Sequence, residues 1–173
     1  MKKICIVTTI ELTIESFFKK QCIYLGNNGF DITVVCSDCN TIIGQMPDNI
    51  KCKSIEISRG IKPTTLLESI KELTEFFEKE KFDLVQYSTP NAAFVASIAA
   101  KKANVPVRNY HLMGFRYLGE SGILRFILKL LEKITCRLST HIECVSKSNL
   151  DLGIKERIFK PEKAVVIWNG STG

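Results

Sequence analysis

The hydrophobic pattern alternates between short apolar runs and longer stretches with a helical period. Residues 3–9 form a β-branched run that is apolar at its centre, as expected of a strand buried on both faces of a parallel sheet. After Pro63, apolar residues recur every three or four positions, which predicts an amphipathic helix over residues 63–80. The predicted strands are residues 3–9, 31–36, 53–57, 83–87, 106–110, 141–145 and 164–168, and the predicted helices are residues 13–28, 63–80, 91–103 and 122–138.

Alternation of strands and helices along a whole chain is typical of an α/β fold. It predicts a doubly wound, parallel, Rossmann-like sheet with right-handed connections. The length of 173 residues fits one domain, so we treat residues 1–173 as a single Rossmann-like unit.

Composition limits the class of protein. An apolar fraction of 45% with 24% charged residues is ordinary for a soluble α/β domain. No apolar run approaches the roughly 20 residues that a membrane-spanning helix needs. Residues 4–7, which follow two lysines, are too short for the core of a signal peptide. These features predict a cytoplasmic protein.

Seven cysteines occur, most of them within strand-like or helix-like apolar patterns, and buried reduced thiols are the simplest interpretation. Only Cys36 and Cys39 have C-x-x-C spacing. A structural zinc site would need two more ligands, and His111 and His141 are not arranged as such a pair. A metal or redox role for this cysteine pair is therefore the less favoured alternative.

Charge is distributed unevenly along the chain. Residues 1–100 have a net charge of −1, whereas residues 101–173 have a net charge of +7. A local basic excess indicates an anionic partner, which could be phosphate, a membrane surface or nucleic acid.

In an open parallel sheet, ligands bind beyond the carboxyl ends of the strands. Four polar segments follow predicted strands: residues 8–13, 88–91, 111–119 and 146–149. The first of them has no glycine where a dinucleotide-binding turn needs G-x-G-x-x-G, and no P-loop pattern occurs. A nicotinamide or flavin cofactor is therefore not expected.

The first segment contains hydroxyls that could bind a sugar or phosphate, on Thr8, Thr9 and Thr13, and a carboxylate on Glu11 that could accept from sugar hydroxyls. The alternative is that Thr13 only caps the following helix and Glu11 only favours its N-terminus electrostatically.

The later segments supply further candidates. Ser88, Thr89 and Asn91 lie at a predicted helix N-terminus, which suits an anion or a hydroxyl-rich ligand but equally suits a plain helix cap. His111 is either a catalytic or ligand-contacting residue or a structural histidine. The remaining substrate-binding candidates are Gly114, Phe115, Arg116 and Ser146.

The predicted helix 122–138 has two distinct faces. At about 100° per residue, Phe126 falls within a stripe of cations, a combination that suits docking on an anionic membrane surface. A solvated helix face is the equal alternative. The apolar face consists of Ile123, Ile127, Leu130, Leu131, Ile134 and Leu138, and the cationic stripe consists of Arg125, Lys129, Lys133 and Arg137.

Five short stretches, taken in order, are similar to a known family. They are residues 58–63, 82–92, 104–108 and 114–117 and the pair Asn169 and Gly170. Through them the chain resembles the N-terminal, acceptor-side domain of family 4 glycosyltransferases of the GT-B architecture, especially those that build bacterial capsular polysaccharide and exopolysaccharide.

The resemblance implies a fold that is the N-terminal half of GT-B and a full-length hexosyltransferase of the retaining type. Such an enzyme would move a sugar from a nucleotide-sugar to a lipid-linked or polysaccharide acceptor in cell-surface glycan biosynthesis. The nucleotide-sugar would bind mainly on a donor domain that follows Gly173 and is absent from this chain, so residues 1–173 alone are expected to be inactive. No cofactor and no metal are expected, and the protein would be peripheral on the inner face of the cytoplasmic membrane.

The chain departs from the family pattern at Met113, where relatives usually have histidine, so His111 and Glu11 are the candidate catalytic residues. The rival hypothesis is a non-catalytic nucleotide-binding or phosphate-binding module of Rossmann or flavodoxin-like fold. Nucleic acid is not an expected partner, because the basic stripe has no stacking aromatic beyond Phe126.

Overall fold

The predicted strands assemble into one parallel sheet. The computed structural model describes residues 1–168 and 170, and in that part of the chain every strand pair is parallel. The strand order is β3-β2-β1-β4-β5-β6-β7, which confirms the doubly wound Rossmann-like arrangement. The strands are β1 (Lys3–Val7), β2 (Asp31–Cys36), β3 (Ile50–Ser54), β4 (Leu84–Tyr87), β5 (Val107–Leu112), β6 (His141–Cys144) and β7 (Ala164–Val165).

Helices connect successive strands. The first connection is continuous but changes winding, because a π-helical turn, Ile14–Phe18, separates two α-helical pieces. The helices are α1 (Glu11–Thr13), α2 (Lys19–Asn27), α3 (Asn40–Ile43), α4 (Pro63–Glu80), α5 (Pro90–Lys102), α6 (Gly122–Leu138) and α7 (Lys147–Lys155), with 3₁₀ turns at Arg116–Gly119 and Pro161–Lys163.

Several element boundaries differ from the predicted ones. The first helix begins at Glu11, so Thr13 lies inside it and makes no side-chain capping hydrogen bond, which corrects the capping alternative. Helix α7 was not predicted, because only Gly153 of its residues is buried and the apolar period is weak. The last strand is much shorter than residues 164–168, and Asn169 lies outside the described residues.

The connections divide the sheet into two unequal sides. The first side is covered by α1, the π turn, α2 and α3, which pack Phe18 and Cys22 against β1 and β2. The second side is covered by α4 to α7, which pack against β1 and β4 to β6. Because right-handed crossovers place successive helices on one side until the chain reverses direction, the helices that follow β4, β5 and β6 share the second side.

The register brings the predicted rim segments together. Val7 pairs with Tyr87, and Tyr87 pairs with Tyr110. The residues that follow β1 and β4 are therefore neighbours at the carboxyl edge of the sheet, and this edge contains the site described next.

Candidate functional site

A cleft of about 270 Å³ opens at the carboxyl edge of the sheet, between the segments that follow β1 and β4. It combines threonine hydroxyls with two guanidinium groups and the N-terminus of α5. The lining residues are Thr9, Ile10, Thr13, Arg59, Thr89, Pro90, Asn91 and Arg116.

Thr9 and Thr89 join the two strand ends. Their hydroxyl oxygens are 2.7 Å apart, and the Thr9 backbone N–H donates to the Thr89 hydroxyl at 3.1 Å. Thr89 has φ 64° and ψ 141°, a left-handed conformation that costs a β-branched residue on the order of 1–3 kcal/mol. Backbone strain of this kind is concentrated at ligand-binding and catalytic sites, so the conformation of Thr89 supports a functional role for this edge of the cleft.

Asn91 organises the opposite edge. Its side-chain N–H₂ group donates to the carbonyl oxygens of Ser58 at 2.6 Å and Gly60 at 2.9 Å. Its carbonyl oxygen accepts from Arg116 at 3.4 Å. The Asn91 side chain therefore links the 58–60 segment to Arg116, and its N–H₂ group is already hydrogen-bonded within the fold.

The cleft is cationic. Arg116 donates to the Arg59 carbonyl oxygen at 3.3 Å, and neither guanidinium has a carboxylate within 4.0 Å among the described residues. The N-terminal N–H groups of α5 add partial positive charge. The arrangement can bind an anion, and guanidinium groups suit the bidentate recognition of phosphate. Sequence reasoning missed Arg59, and only its place in the 58–63 stretch could have indicated it.

His111 lies below the cleft rather than in it. Its side chain is 1% exposed, faces the first side of the sheet and meets the Phe18 ring edge-on at 5.1 Å. Its Nδ1 is 3.4 Å from the Glu143 carboxylate, and the histidine, followed by the Asn109 amide, lowers the pKa of Glu143. Within the described residues neither ring nitrogen has a well-formed hydrogen bond. Glu11 is half-buried and does not line the cleft either, so the catalytic roles of both residues stay predictions.

The other predicted binding residues are mostly structural. Thr8 is buried and donates to the Ile10 carbonyl oxygen at 2.9 Å. Ser146 caps α7 by accepting from the Asn149 N–H at 3.2 Å, and Phe115 is buried against Tyr117. Ser88 is buried, and its hydroxyl has no partner among the described residues. Nothing lies within 4 Å of the position that a Cβ would take on Gly114, so no close approach requires a glycine there.

Helix α6 exposes apolar residues beside the cleft. Ile123, Phe126 and Leu130 are 74%, 65% and 48% exposed. The buried side of the helix, which packs against the rest of the fold, consists of Leu128, Glu132, Thr135 and Cys136. The predicted apolar face is therefore partly open, because Ile123, Ile127 and Leu130 are exposed. Among the described residues, no helix has both the length and the hydropathy needed to span a bilayer.

The predicted cations of α6 differ in their contacts and in their exposure. Lys129 pairs with Glu156 at 2.8 Å and lies 5.6 Å from the Tyr117 ring centroid, and Arg125 lies 5.9 Å from the same ring. Arg125 and Arg137 are exposed, whereas Lys129 and Lys133 are half-buried. Arg125 and Arg137 are therefore exposed on the same helix as Ile123, Phe126 and Leu130.

Comparison with known proteins identifies relatives. The family model described as Glycosyltransferase Family 4 matches residues 14–171. The capsular polysaccharide biosynthesis glycosyltransferase CapM of Staphylococcus aureus is 29% identical over 171 residues, which are 99% of this chain and 44% of CapM. An Escherichia coli UDP-Gal:alpha-D-GlcNAc-diphosphoundecaprenol alpha-1,3-galactosyltransferase is 26% identical over 154 residues, which cover 84% of this chain and 38% of that enzyme. The chain thus spans less than half the length of both relatives.

Solved structures share the fold. MurG of Acinetobacter baumannii superposes with a TM-score of 0.66 at 13% identity, over 99% of this chain and 46% of MurG. Anabaena Alr3699/HepE, solved with UDP and glucose, gives 0.68 at 16% identity, over 98% and 44%. The UDP-GlcNAc 2-epimerase of Methanocaldococcus jannaschii gives 0.67 at 17% identity, over 98% and 46%. At such identities these likenesses show the fold alone, which is the N-terminal half of GT-B.

Proposed function

Because the chain belongs to glycosyltransferase family 4, we propose that its cleft binds the sugar acceptor of a cell-surface glycan glycosyltransferase. The full-length protein would transfer a hexosyl group from a nucleotide-sugar to a lipid-linked or polysaccharide acceptor. The names of the relatives support this choice, since one acts in capsular polysaccharide biosynthesis and another glycosylates a diphosphoundecaprenol-linked sugar.

One observation carries the proposal: the cleft places Arg59 and Arg116, without carboxylate partners among the described residues, beside the hydroxyls of Thr9 and Thr89. An acceptor that joins a diphosphate to a sugar needs both kinds of group. The guanidinium groups would bind the phosphate oxygens, and the hydroxyls would bind the sugar. Asn91 would keep both arginines in place through the hydrogen bonds described above.

In the proposed reaction, the bond between the donor sugar and the nucleotide diphosphate breaks, a bond from the sugar to an acceptor hydroxyl oxygen forms, and the hydroxyl proton passes to the departing diphosphate. We propose a retaining outcome without metal or cofactor, with cations neutralising the leaving diphosphate. His111 and Glu11 remain the candidate catalytic residues. Because His111 is buried, its participation would require the segment after β5, beginning at Met113, to move when substrate binds.

We further propose that the nucleotide-sugar binds mainly on a second domain outside residues 1–173. The support is that the chain corresponds to 44% and 38% of two relatives. Residues 1–173 alone would then bind an acceptor diphosphate but would not catalyse sugar transfer.

The test is turnover by the full-length protein. It would be incubated with a panel of UDP-sugars and undecaprenyl-diphosphate-linked acceptors, and the glycosylated lipid would be detected by mass spectrometry. A product that contains one added hexose is expected. A folded full-length protein that binds nucleotide or phosphate but transfers no sugar across the panels would favour the non-catalytic binding module instead.

We also propose that α6 docks on the anionic inner face of the cytoplasmic membrane. Ile123, Phe126 and Leu130 would enter the interface, and the neighbouring cations would contact lipid headgroups. This placement would bring the cleft, which shares Arg116 with the turn before α6, close to a lipid-linked acceptor.

Replacing Phe126 by serine is expected to weaken binding to vesicles, because it removes the exposed aromatic wedge from α6. Burial of an aromatic side chain is worth roughly 1.5–3 kcal/mol, so partition should fall about tenfold. Co-sedimentation with vesicles that contain phosphatidylglycerol measures this partition. Tyr24→Ser is the matched control, since Tyr24 is 67% exposed on α2, and it should leave binding unchanged. Equal binding by Phe126→Ser and wild type would contradict docking through α6.

A further inference from the structure

A close pair of thiols lies at the end of β2. Cys36 is the last residue of that strand, and Cys39 directly precedes α3. Both side chains are fully buried, and their sulfur atoms are 3.2 Å apart. A disulfide has an S–S length of about 2.05 Å, so the sulfurs need to approach by only about 1 Å.

The two thiols are electrostatically different. The hydrogen bond between the two sulfurs lowers the pKa of Cys39 and raises the pKa of Cys36, and the Cys36 thiol also lies 3.2 Å from the Asp38 carbonyl oxygen. Burial raises the pKa of every other cysteine thiol: Cys5, Cys22, Cys52, Cys136 and Cys144. Since the thiolate is the reactive form, the short contact between the two sulfurs and the lowered pKa of Cys39 together favour Cys39 as the nucleophile of this pair.

We propose that Cys36 and Cys39 form a reversible thiol–disulfide site that a peroxide oxidises. The Cys39 thiolate attacks one oxygen of hydrogen peroxide, the O–O bond breaks, and the departing hydroxide takes up a proton, which leaves Cys39 as a sulfenic acid and releases water. The Cys36 sulfur then attacks the Cys39 sulfur, and the hydroxyl leaves as a second water with the Cys36 proton. One peroxide thus converts two thiols into one disulfide.

The surroundings suit such a site. Asp38 and Asn40, on either side of Cys39, are exposed, so the buried pair belongs to a segment that reaches the surface. Within the described part of the chain, no three histidine, cysteine or acidic side chains are grouped as metal ligands, so the pair has no alternative partner of that kind there.

The site is connected to the cleft. The Ser37 hydroxyl, which lies between the two cysteines in sequence, is 2.7 Å from the Thr9 carbonyl oxygen and 2.9 Å from that of Ile57. Formation of the disulfide would therefore move the backbone around Ser37, whose hydroxyl donates a hydrogen bond to the Thr9 carbonyl oxygen. The proposal does not depend on glycosyl transfer, because its test reads thiol chemistry alone.

The experiment uses the reduced chain of residues 1–173 in its native state. It is exposed to a small excess of hydrogen peroxide, free thiols are alkylated after denaturation, and peptide mass spectrometry assigns each cysteine. Cys36 and Cys39 should lose their thiols together, as one cross-linked peptide that dithiothreitol restores, before any other cysteine reacts. A first disulfide to Cys52, or oxidation of other cysteines while this pair stays reduced, would overturn the proposal.

Two variants test the order of attack. In Cys36→Ser the oxidation should stop at a sulfenic acid on Cys39, which dimedone traps, whereas Cys39→Ser should leave Cys36 unmodified. Cys52→Ser, the matched control, should still form the Cys36 to Cys39 disulfide. A dimedone adduct on Cys36 of Cys39→Ser at the wild-type rate would refute the assignment of Cys39 as nucleophile. The wild-type peptide map remains decisive if either substitution disturbs folding.

Discussion

Replacing Arg116 by alanine is expected to lower kcat/KM of the full-length protein for a diphosphate-linked acceptor by roughly 100-fold. Truncation of one member of a charged hydrogen-bonded pair costs about 2–5 kcal/mol where the pair is buried, and we use the lower half of this range for Arg116 and a bound phosphate because Arg116 is exposed. Arg116→Lys should retain part of the rate, since lysine keeps the charge but not the planar fork. Initial rates at varied acceptor concentration measure the effect.

The same measurements separate acceptor binding from donor binding. Arg116→Ala should raise KM for the acceptor and leave KM for the nucleotide-sugar within about twofold. Lys101→Ala, on the exposed far end of α5, should match the wild type. A variant that loses donor affinity instead would place the nucleotide, rather than the acceptor, in this cleft.

Asn91→Ala gives an independent view of the cleft. Asn91 ties the 58–60 segment to α5 and accepts from Arg116, so its loss should free both arginines. We expect a fall in kcat/KM comparable to that of Arg116→Ala, but little further loss in the double variant. Full additivity of the two substitutions would show that Asn91 acts on substrate directly rather than through Arg116.

Replacing Glu132 by glutamine is expected to stabilise the fold at pH 8 and to have little effect near pH 4. Glu132 lies on the packed side of α6 and is 6% exposed. Burial raises its pKa from 4.5 to about 7, against a smaller lowering by the Tyr110 hydroxyl. In the unfolded chain the carboxyl ionises at its ordinary pKa, while in the fold it stays protonated to a higher pH. The folded state therefore loses stability as pH rises from about 4.5 to 7, and the loss persists above pH 7.

The size of the effect follows from the shift in pKa. A pKa raised from 4.5 to about 7 corresponds to about 3 kcal/mol, and we expect roughly 1–3 kcal/mol of stabilisation by Glu132→Gln at pH 8. Urea unfolding of the chain at pH 4.5, 6 and 8 measures it as a difference from wild type. Glu75→Gln, on the exposed face of α4, is the control and should show no pH-dependent difference. A constant difference between Glu132→Gln and wild type at all three pH values would contradict a raised pKa.

Much of the fold could be predicted from the chain pattern. Strand β2 and helices α4 and α6 have the predicted bounds, because their periods reflect local alternation between buried and exposed positions. The short helices α3 and α7 were not predicted. Few of their side chains are buried, so their apolar residues show little helical periodicity. The location of the rim also followed from the sequence, because parallel strands end at one edge of the sheet.

The roles of the rim residues were less predictable. Thr9, Thr13, Thr89, Asn91 and Arg116 line one cleft, and the Asn91 N–H₂ group is hydrogen-bonded to the carbonyl oxygens of Ser58 and Gly60. His111 and Glu11 do not line it. The register places His111 beside Glu143 and on the Phe18 side of the sheet, and no spacing along the chain shows which side a rim residue will face.

The sequence by itself thus determined the parallel α/β sheet, its carboxyl-edge rim and the family resemblance, because these depend on short-range periodicity and on short motifs. Only the tertiary structure decided which rim side chains share a cleft, that Arg59 joins Arg116 there, and that α6 leaves Ile123 and Phe126 open. These outcomes depend on contacts between residues far apart in the chain, such as Asn91 with Ser58 and Thr9 with Thr89, and such contacts form only when the helices pack against the sheet.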